Sequence, residues 1–358
     1  MKIDLQIERV ISELKRGEKV VIIDSLSQRG VLLSAAEMVQ DLTLNDHLNT
    51  AKSYPNIILS SRRCNALGIK TNKNCSLLVD LNWRKEKILS ITLDKKINTS
   101  SIFDGLIEEN NIIVNCCLEL LVKSKLLPTG IMTLIANVNF NEIVEWTNTN
   151  NLIYMSVQDL KFSNQQKDKN LEIIAKAHLP IKQTDDCDIV VFRSNNDFNE
   201  YFCLLIGKAR KTINENLNFT PTLRIHSQCI TGDILNSLKC DCGDQLRDSI
   251  DLMVKNNEGI LIYLSQEGRN IGLTNKLRAY KLQEDGLDTV DANLTLGFSE
   301  DERNYDVAKQ ILQKLNVNKV KLITNNPLKI KDLQNSNIDV SSRISLSVNE
   351  NPYNQGYL

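Results

Sequence analysis

Short apolar runs alternate with amphipathic stretches through the second half of the chain, and this alternation limits the folds open to it. The apolar runs read as strands, and the stretches whose apolar residues recur every three or four positions read as helices. The predicted strands are Leu223–Ser227, Ile260–Leu264 and Val320–Thr324. The predicted helices are Asp244–Asn256, Asn275–Asp285 and one that begins at the capping-box pattern Ser299–Glu302. The pattern predicts a mixed α/β (α+β) fold.

The first half of the chain carries a similar but less regular pattern. Apolar residues at helical spacing predict a first helix that ends at Gly17, and the run Val20–Ile23 predicts a strand. Residues 163–170 form a polar stretch with no apolar side chain, which we interpret as a linker. Because 358 residues are enough for two domains of ordinary size, we predict domains at 1–163 and 171–358.

The charge balance gives no sign of a nucleic-acid-binding or membrane-binding protein. The chain has 43 basic and 44 acidic residues, which leaves a net charge of -1. Its start does not have the pattern of a signal peptide, and its apolar stretch Ile112–Val122 is too short to cross a bilayer. We therefore expect a cytoplasmic protein with neither a nucleic-acid partner nor a membrane partner.

Three of the nine cysteines have a spacing that could bind a metal ion. If Cys240–Cys242 is extended, its two thiol groups share a face, and Cys229 can return from the end of the preceding strand. Three soft ligands with one open position are typical of catalytic zinc. The alternative is that these cysteines are structural or simply buried, which is the commoner state of thiols in a reducing compartment.

A group of polar and basic residues follows the predicted strand Ile260–Leu264. Gln266–Arg269 comes directly after it, and Lys276, Arg278 and Lys281 lie on the next predicted helix. Basic side chains where a loop meets a helix are suited to a polyphosphate, whereas a solvated helix face is the ordinary alternative. The chain has no P-loop motif.

Nine groups of residues in the second half resemble, in the same order, the motifs of the GTP cyclohydrolase II family. They are Arg224–Asp233, Ser237–Gly243, Gln266–Arg269, Ile271–Leu273, Asn275–Tyr280, Asp288–Asn293, Leu296–Phe298, Asp301–Arg303 and Leu322–Pro327. The resemblance implies a GTP cyclohydrolase II-like fold in the C-terminal domain. It also implies the first step of riboflavin biosynthesis, in which GTP is converted to 2,5-diamino-6-ribosylamino-4(3H)-pyrimidinone 5′-phosphate, formate and pyrophosphate.

The same resemblance assigns roles to individual residues. It implies one zinc ion per subunit on Cys229, Cys240 and Cys242, and Tyr280 as a general acid or base. It implies that Arg303 acts on the α-phosphate with Asp301 as its partner. Because a guanidinium almost never loses its proton, Arg303 could stabilise charge there instead of attacking. The residues that match the family's nucleotide contacts are Arg224, Ile225, His226, Ser227, Gln228, Gln245, Glu267, Gly268, Arg269, Thr289, Thr324 and Lys329.

The resemblance carries further expectations about the nucleotide. Glu267 is the candidate reader of the guanine N1–H and amino groups, because one carboxylate can accept both hydrogen bonds. Thr324 and Lys329 flank a turn that could close over the nucleotide. Mg²⁺ is expected on the triphosphate, and the family implies a homodimer.

The chain also departs from the family pattern. Gln228 stands where a Glu is usual, Asn270 where a Gly is usual and Ser265 where an Arg is usual, and the chain stops at Leu358 without the common basic tail. Asn tolerates the left-handed backbone conformation, so Asn270 can keep the shape of the loop. These departures keep open a second hypothesis, that of a GTP-binding pseudoenzyme or regulator.

The first half faintly resembles 3,4-dihydroxy-2-butanone 4-phosphate synthase, in its opening helix and strand, in Ala35–Glu37 and in Leu127–Ile131. The synthase holds a divalent metal with a carboxylate-rich loop and a His. Here the loop Asp24–Gly30 has one acid, and no His lies between His47 and His178. We therefore expect a degenerate domain, inactive as a synthase, that serves dimerisation or supports the active half. A bifunctional enzyme and an unrelated small α/β domain are the alternatives.

Overall fold

Two seven-stranded sheets organise the chain, one in each of two units. This computed structural model describes residues 2–94, 105–109, 111–165, 171–194, 199–211, 219–334, 338–346 and 351–354. Most of the predicted linker, 166–170, and the chain end at Tyr357 and Leu358 lie outside those residues. The predicted mixed α/β (α+β) class is confirmed, since each sheet is accompanied by helices in its own unit.

The first unit comprises Met1–Gln166 and Thr274–Glu302, and the second comprises Lys167–Leu273 and Arg303–Leu358. Division of the chain into domains at 1–163 and 171–358 remains a prediction. Packing follows a different division, because Thr274–Glu302 belongs to the predicted second domain but packs within the first unit. We call Thr274–Glu302 the inserted segment.

The first sheet has the strand order β5-β4-β3-β6-β2-β1-β7, antiparallel throughout except for the parallel pair β1 and β7. Its strands are β1 (Val20–Asp24), β2 (Arg29–Ala35), β3 (Pro55–Leu59), β4 (Asn74–Leu78), β5 (Leu106–Glu109), β6 (Thr129–Leu134) and β7 (Ile153–Ser156). The helices of this part of the chain are α1 (Lys2–Arg16), α2 (Thr43–Ala51), α3 (Ser61–Ala66), α4 (Lys85–Leu93), α5 (Ile112–Lys123), α6 (Ile143–Thr149) and α7 (Val157–Gln165).

The predicted start of the first unit is confirmed. α1 buries Val10 and Leu14 on one side, and it ends before Gly17, whose φ of +85° is readily adopted only by glycine. β1 is buried along its whole length, as its uninterrupted apolar sequence predicts.

The second sheet has the order β14-β13-β11-β12-β10-β9-β8. The strands β8 (Leu171–His178), β9 (Cys187–Ser194), β10 (Glu200–Gly207) and β12 (Glu258–Leu264) are antiparallel neighbours. The strands β12, β11 (Thr222–Ser227), β13 (Lys319–Ile323) and β14 (Asp339–Ile344) are parallel neighbours. Since the carboxyl ends of parallel strands meet at one edge, the loops after β11, β12 and β13 emerge together there.

Two of the remaining helices confirm predicted ones, one begins later than predicted, and two were not predicted. They are α8 (Cys242–Lys255), α9 (Leu273–Glu284), α10 (Thr289–Thr295), α11 (Asp306–Lys314) and α12 (Pro327–Gln334). A helix starting at Ser299 is wrong, because α11 begins seven residues later, at Asp306. Glu302 does accept a hydrogen bond from the Ser299 amide at 2.7 Å, but the Asn304 side chain accepts one from the Asp306 amide and so defines a later start.

Candidate active site

Three thiol groups converge in the second unit. The sulfur atoms of Cys229, Cys240 and Cys242 all lie within 4.8 Å of one another, and those of Cys229 and Cys240 are 3.5 Å apart. Cys229 follows β11, whereas Cys242 is the first residue of α8. The segment Cys240–Cys242 is not extended, since Asp241 between the two has φ -96° and ψ 3°. A turn into a helix, and not a strand, brings Cys240 and Cys242 to one place.

Two glycines make room for these sulfur atoms. A Cβ atom at Gly232 would lie 3.0 Å from the Cys240 sulfur and 3.1 Å from the Cys229 sulfur. A Cβ atom at Gly243 would lie 2.1 Å from the carbonyl oxygen of Gly232. The Gly232 amide also donates to the Cys229 sulfur at 3.3 Å. The backbone at Gly243 therefore has no room for a side chain, and a side chain at Gly232 would press on two of the sulfur atoms.

The cluster is electrostatically suited to a cation. Contacts with Cys229 and Cys240 raise the pKa of the Cys242 thiol well above its ordinary value, and burial adds to that effect. A hydrogen bond with Cys229 likewise contributes to raising the pKa of Cys240. A metal ion among the sulfur atoms would act in the opposite sense, because metal-bound thiols are deprotonated. The three residues thus form a donor set of the kind that binds a soft divalent metal.

A buried carboxylate fixes the loop that carries Cys229. Asp233 accepts hydrogen bonds from the Cys229 amide at 3.0 Å and from the Tyr263 hydroxyl at 2.8 Å. Its two oxygens lie 3.0 and 3.1 Å from His226 Nε2. The rings of His226 and Tyr263 stack with their centroids 5.5 Å apart. The Asp233 side chain is only 4% exposed, so this network has little competition from water.

Glu267 holds the same loop from the end of β12. Its Oε2 atom accepts a hydrogen bond from the Ile230 amide at 2.7 Å, and the residue is buried. One carboxylate oxygen of the expected guanine reader is therefore already engaged by the protein. The following residues Gly268, Arg269 and Asn270 all have positive φ values, and the +75° of Asn270 agrees with the expected tolerance of Asn for this conformation.

Several buried polar atoms beside these loops have no hydrogen-bond partner in the described part of the chain. They are Arg224 Nε, His226 Nδ1, Ser227 Oγ and Gln266 Oε1. Burial lowers the pKa of both Arg224 and His226. Arg224 also donates to Gln245 on α8, which ties β11 to that helix. Because buried polar atoms are nearly always satisfied, this grouping marks a place for a polar ligand.

Two further basic residues, Arg303 and Lys329, lie near the ring of Tyr305. Lys329 Nζ lies 5.4 Å and Arg303 Cζ lies 6.0 Å from the ring centroid of Tyr305. Lys329 is buried and donates to the carbonyl oxygen of Ile225 at 3.1 Å. The side chain of Ile225 itself belongs to the hydrophobic core of the second unit, so that residue can contact a ligand only through its backbone.

The turn after β13 is the one expected to close over the nucleotide. Thr324 is buried and accepts a hydrogen bond from the Asn326 amide at 3.0 Å, after which α12 begins at Pro327. Lys329 is therefore on a helix. Closure of this turn over the nucleotide remains a prediction. Gln228 continues from β11, and its amide donates to the carbonyl oxygen of Leu264 on β12 at 2.8 Å.

The other expected site residues lie in the inserted segment of the first unit. Tyr280 is a buried residue of α9, with Lys276 Nζ 5.7 Å from its ring centroid. Thr289 begins α10, and its hydroxyl accepts a hydrogen bond from Gln283 at 2.9 Å. Asp301 is half-buried and precedes α11. Asp301 and Arg303 are therefore not in the first turn of a helix, and a helix dipole gives them no help in binding an anion.

Sequence reasoning assigned no role to Asp233, Gly232, Gly243, Tyr263 or Tyr305. Asp233, Gly232 and Gly243 do lie within the quoted motifs, and that position is the sequence feature that could have identified them as site residues. Tyr263 lies outside the quoted motifs, and its partners Asp233 and His226 are distant in sequence. Tyr305 also lies outside them; of its two partners, Lys329 is distant in sequence and Arg303 is two residues away.

Among the described residues, no helix combines the length and the apolar character that crossing a bilayer requires.

Comparison with known proteins agrees with the motif pattern. Residues 172–345 match the model of the family described as GTP cyclohydrolase II. A GTP cyclohydrolase-2 of Buchnera aphidicola is 49% identical over 185 residues, which are 52% of this chain and 90% of that protein. One from Acinetobacter baylyi is 45% identical over 192 residues, which cover 52% and 91%. One from Azospirillum brasilense is 37% identical over 236 residues, which cover 66% and 59%.

A solved structure also aligns with nearly the whole chain. It is RibBX, a two-domain 3,4-dihydroxy-2-butanone 4-phosphate synthase from A. baumannii, and the alignment covers 96% of this chain and 99% of that one. The TM-score is 0.37 at 14% identity, which is too low to support an argument about fold or function.

Proposed function

The chain belongs to the GTP cyclohydrolase II family, and from this premise we propose that it converts GTP to 2,5-diamino-6-ribosylamino-4(3H)-pyrimidinone 5′-phosphate, formate and pyrophosphate. The family is one of metal-dependent hydrolases of riboflavin biosynthesis. We further propose one zinc ion per subunit, Mg²⁺ with the nucleotide, and a homodimer.

The observation that carries the proposal is the convergence of the three thiols within 4.8 Å inside a glycine-lined backbone. Cys229, Cys240 and Cys242 would hold the zinc ion as thiolates, the ligand type that zinc favours. When bound, zinc with an open coordination position supplies an activated water for attack on guanine C8. The three ligands come from two elements, so metal binding also fixes α8 to the loop after β11.

The buried polar atoms beside the thiols support nucleotide binding. Arg224 Nε, His226 Nδ1, Ser227 Oγ and Gln266 Oε1 need hydrogen-bond partners that a bound GTP can provide. We propose that the nucleotide is bound by Arg224, Ile225 through its backbone, His226, Ser227, Gln228, Gln245, Glu267, Gly268, Arg269, Thr289, Thr324 and Lys329. We propose that the carboxylate of Glu267, which accepts the Ile230 amide, also accepts the guanine N1–H and amino groups.

The chemistry at the phosphates and at the ring is assigned to three further residues. Arg303 stabilises negative charge that develops on the α-phosphate, and Asp301 orients its guanidinium. We favour this role over nucleophilic attack, because arginine keeps its proton. Tyr280 transfers a proton through its phenol oxygen as general acid or base.

Formate release tests the proposal most directly. Purified protein loaded with zinc should release one formate per GTP consumed, and metal analysis should find one zinc per chain. Cys240→Ala should lose both the metal and the activity. Cys203→Ala is the matched control, since Cys203 is a buried thiol of β10 outside the cluster. Absence of formate from protein that retains its zinc would contradict the proposal.

The same measurements separate the alternatives. GTP binding without turnover would instead support a regulator. Conversion of ribulose 5-phosphate would support a bifunctional enzyme, but Asp24 argues against it. The carboxylate of Asp24 accepts hydrogen bonds from the amides of Leu26 and Ser27, the hydroxyl of Ser27 and the side chain of Gln158. The single acid of the degenerate loop is thus engaged by protein donors, and we propose that the first half has no synthase activity.

A further inference from the structure

The largest fully buried side chain of the first unit is a cation. Arg63, on α3, is 0% exposed, and among the described residues it forms no ion pair. Its guanidinium instead donates to four backbone carbonyl oxygens: to Ile91 at 2.9 Å, to Asp94 at 2.8 Å, to Thr295 at 2.8 Å and to Ser90 at 3.5 Å. Burial lowers the pKa of Arg63 to about 10, so the side chain keeps its charge at neutral pH.

The carbonyl groups that Arg63 binds are at the ends of two helices. Ile91 and Asp94 lie at the C-terminal end of α4, and Thr295 is the last residue of α10. The last carbonyl groups of a helix have no partner within it and carry partial negative charge, so a cation there is favourable. One buried guanidinium therefore joins a helix of the first half of the chain to a helix of the inserted segment.

The turn that follows α10 is held at the same place. Ser60 donates through its hydroxyl to the carbonyl oxygen of Gly297 at 2.8 Å. A Cβ atom on Gly297 would lie 2.8 Å from Ser60 Oγ and 2.9 Å from Pro128 Cγ, and its φ is +92°. Because the backbone of the turn packs directly against Ser60 and Pro128, the turn has little room to shift.

The other end of the inserted segment is also bound to the first half. Arg278 on α9 pairs with Glu37 at 3.1 Å, and the same Glu37 oxygen accepts the Leu127 amide at 2.7 Å. The buried Asn275 donates through its side-chain amide to the carbonyl oxygen of Lys125 at 2.9 Å. Both α9 and the end of α10 are thus fixed by contacts with residues from before the predicted linker.

We infer that the first half of the chain serves as the positioning scaffold of the cyclohydrolase reaction, and that Arg63 is its principal positioning residue. This inference rests on the proposed function, because the inserted segment carries Tyr280, Thr289 and Asp301. In this role the first half holds the inserted segment in place and needs no active site of its own. The half retains its fold because a reacting group has to be held in place from outside its own helix.

The test compares adjacent arginines on one short helix in the full-length protein. Arg63→Ala removes the guanidinium that joins α4 to α10. Arg62→Ala is the matched control, because Arg62 is exposed. We expect Arg63→Ala to lower kcat for formate release about tenfold to a hundredfold, since a displacement of about 1 Å in a reacting group costs that order of rate. Zinc content should stay at the wild-type value, because the thiols lie in the other unit.

Hydrogen exchange supplies a readout that does not depend on activity. The amides of Leu296, Gly297 and Phe298, which close the end of α10, should exchange about tenfold faster in Arg63→Ala than in the wild type or Arg62→Ala. Ser60→Ala should show a smaller change in the same amides. This milder variant decides the matter if Arg63→Ala fails to fold.

The two proposals fail in different ways. If the wild type releases no formate, the proposed function is wrong. The exchange measurement still tests whether Arg63 holds the end of α10. If Arg63→Ala and Ser60→Ala both keep the wild-type kcat and exchange, the first half is not a positioning scaffold. A fall in kcat without faster exchange at the end of α10 would also overturn the inference.

Discussion

Asp233 is not one of the three thiol residues that could hold a metal, but its carboxylate positions the loop that carries one of them. Its carboxylate accepts hydrogen bonds from the Cys229 amide and the Tyr263 hydroxyl and lies 3.0 Å from His226 Nε2, so it fixes the Cys229 end of a loop that Glu267 also holds. Residues that hydrogen-bond to the ligands of a metal ion commonly change the affinity of the site for that ion. The hydrogen bond from the Cys229 amide matters most, because it fixes the backbone of the residue whose sulfur belongs to the thiol cluster.

Asp233→Asn should weaken zinc binding about tenfold to a hundredfold, because the amide has one acceptor oxygen where the carboxylate has two. Competition with a chromogenic chelator would measure the affinity without reference to activity. Asp251→Asn, an exposed position on α8, is the control and should bind zinc as the wild type does. Equal affinity in both variants would show that the carboxylate network does not support the metal site.

At the scale of elements, the thiol site depends on how closely α8 approaches the loop after β11. Gly243 lies in the first turn of α8, where a Cβ atom would be 2.1 Å from the carbonyl oxygen of Gly232. The backbone has to move to accept any side chain there, and that movement would carry Cys242 with it.

Gly243→Ala should therefore reduce both zinc content and formate release, with a loss of stability of about 1–3 kcal/mol from overpacking. Metal analysis and thermal unfolding of the same preparation would measure the two effects. Asp244→Ala changes the next residue of the same helical turn, which is exposed, and should leave zinc content unchanged. If Gly243→Ala binds a full equivalent of zinc, the close approach is not essential.

The elements also show what the sequence could and could not predict. Local periodicity identified β11, α8, β12, α9 and β13 to within two residues, because each buries its own apolar positions. It placed the start of α11 wrongly, because Asn304 competes with the Ser299 capping pattern. The spacing of the cysteines identified the thiol group, but for the wrong geometric reason.

What the sequence did not reveal arises from contacts between distant positions. Arg278 looked like part of a phosphate-binding group, yet it pairs with Glu37, more than two hundred residues earlier. Arg63, Tyr263 and Tyr305 belong to no motif or periodic pattern. Their roles depend on contacts with Thr295, Asp233 and Lys329, which the sequence does not show. Of the candidate site, the convergence of the three thiols was therefore predictable from the sequence, whereas the contacts of Arg63, Tyr263 and Tyr305 were not.

At the scale of the whole molecule, acid stability depends on histidines that are buried without charge. His47, on α2, is fully buried between the hydroxyl groups of Ser34 and Thr133, each 2.9 Å from a ring nitrogen. Burial lowers the pKa of His47 to about 3. The unfolded chain therefore binds a proton at pH values where the folded chain does not, and folding becomes less favourable as the pH falls from about 6.5 toward 3.

His47→Gln should flatten this dependence, because glutamine can donate and accept hydrogen bonds but does not titrate. For one proton the slope is about 1.4 kcal/mol per pH unit. The loss of unfolding free energy between pH 6.5 and pH 5 should thus be about 2 kcal/mol smaller in the variant. Urea unfolding at several pH values would measure it, with the half-exposed His178 replaced by glutamine as the control. An identical pH dependence in wild type and His47→Gln would mean that His47 takes up its proton without unfolding, through a local opening of the pocket between Ser34 and Thr133.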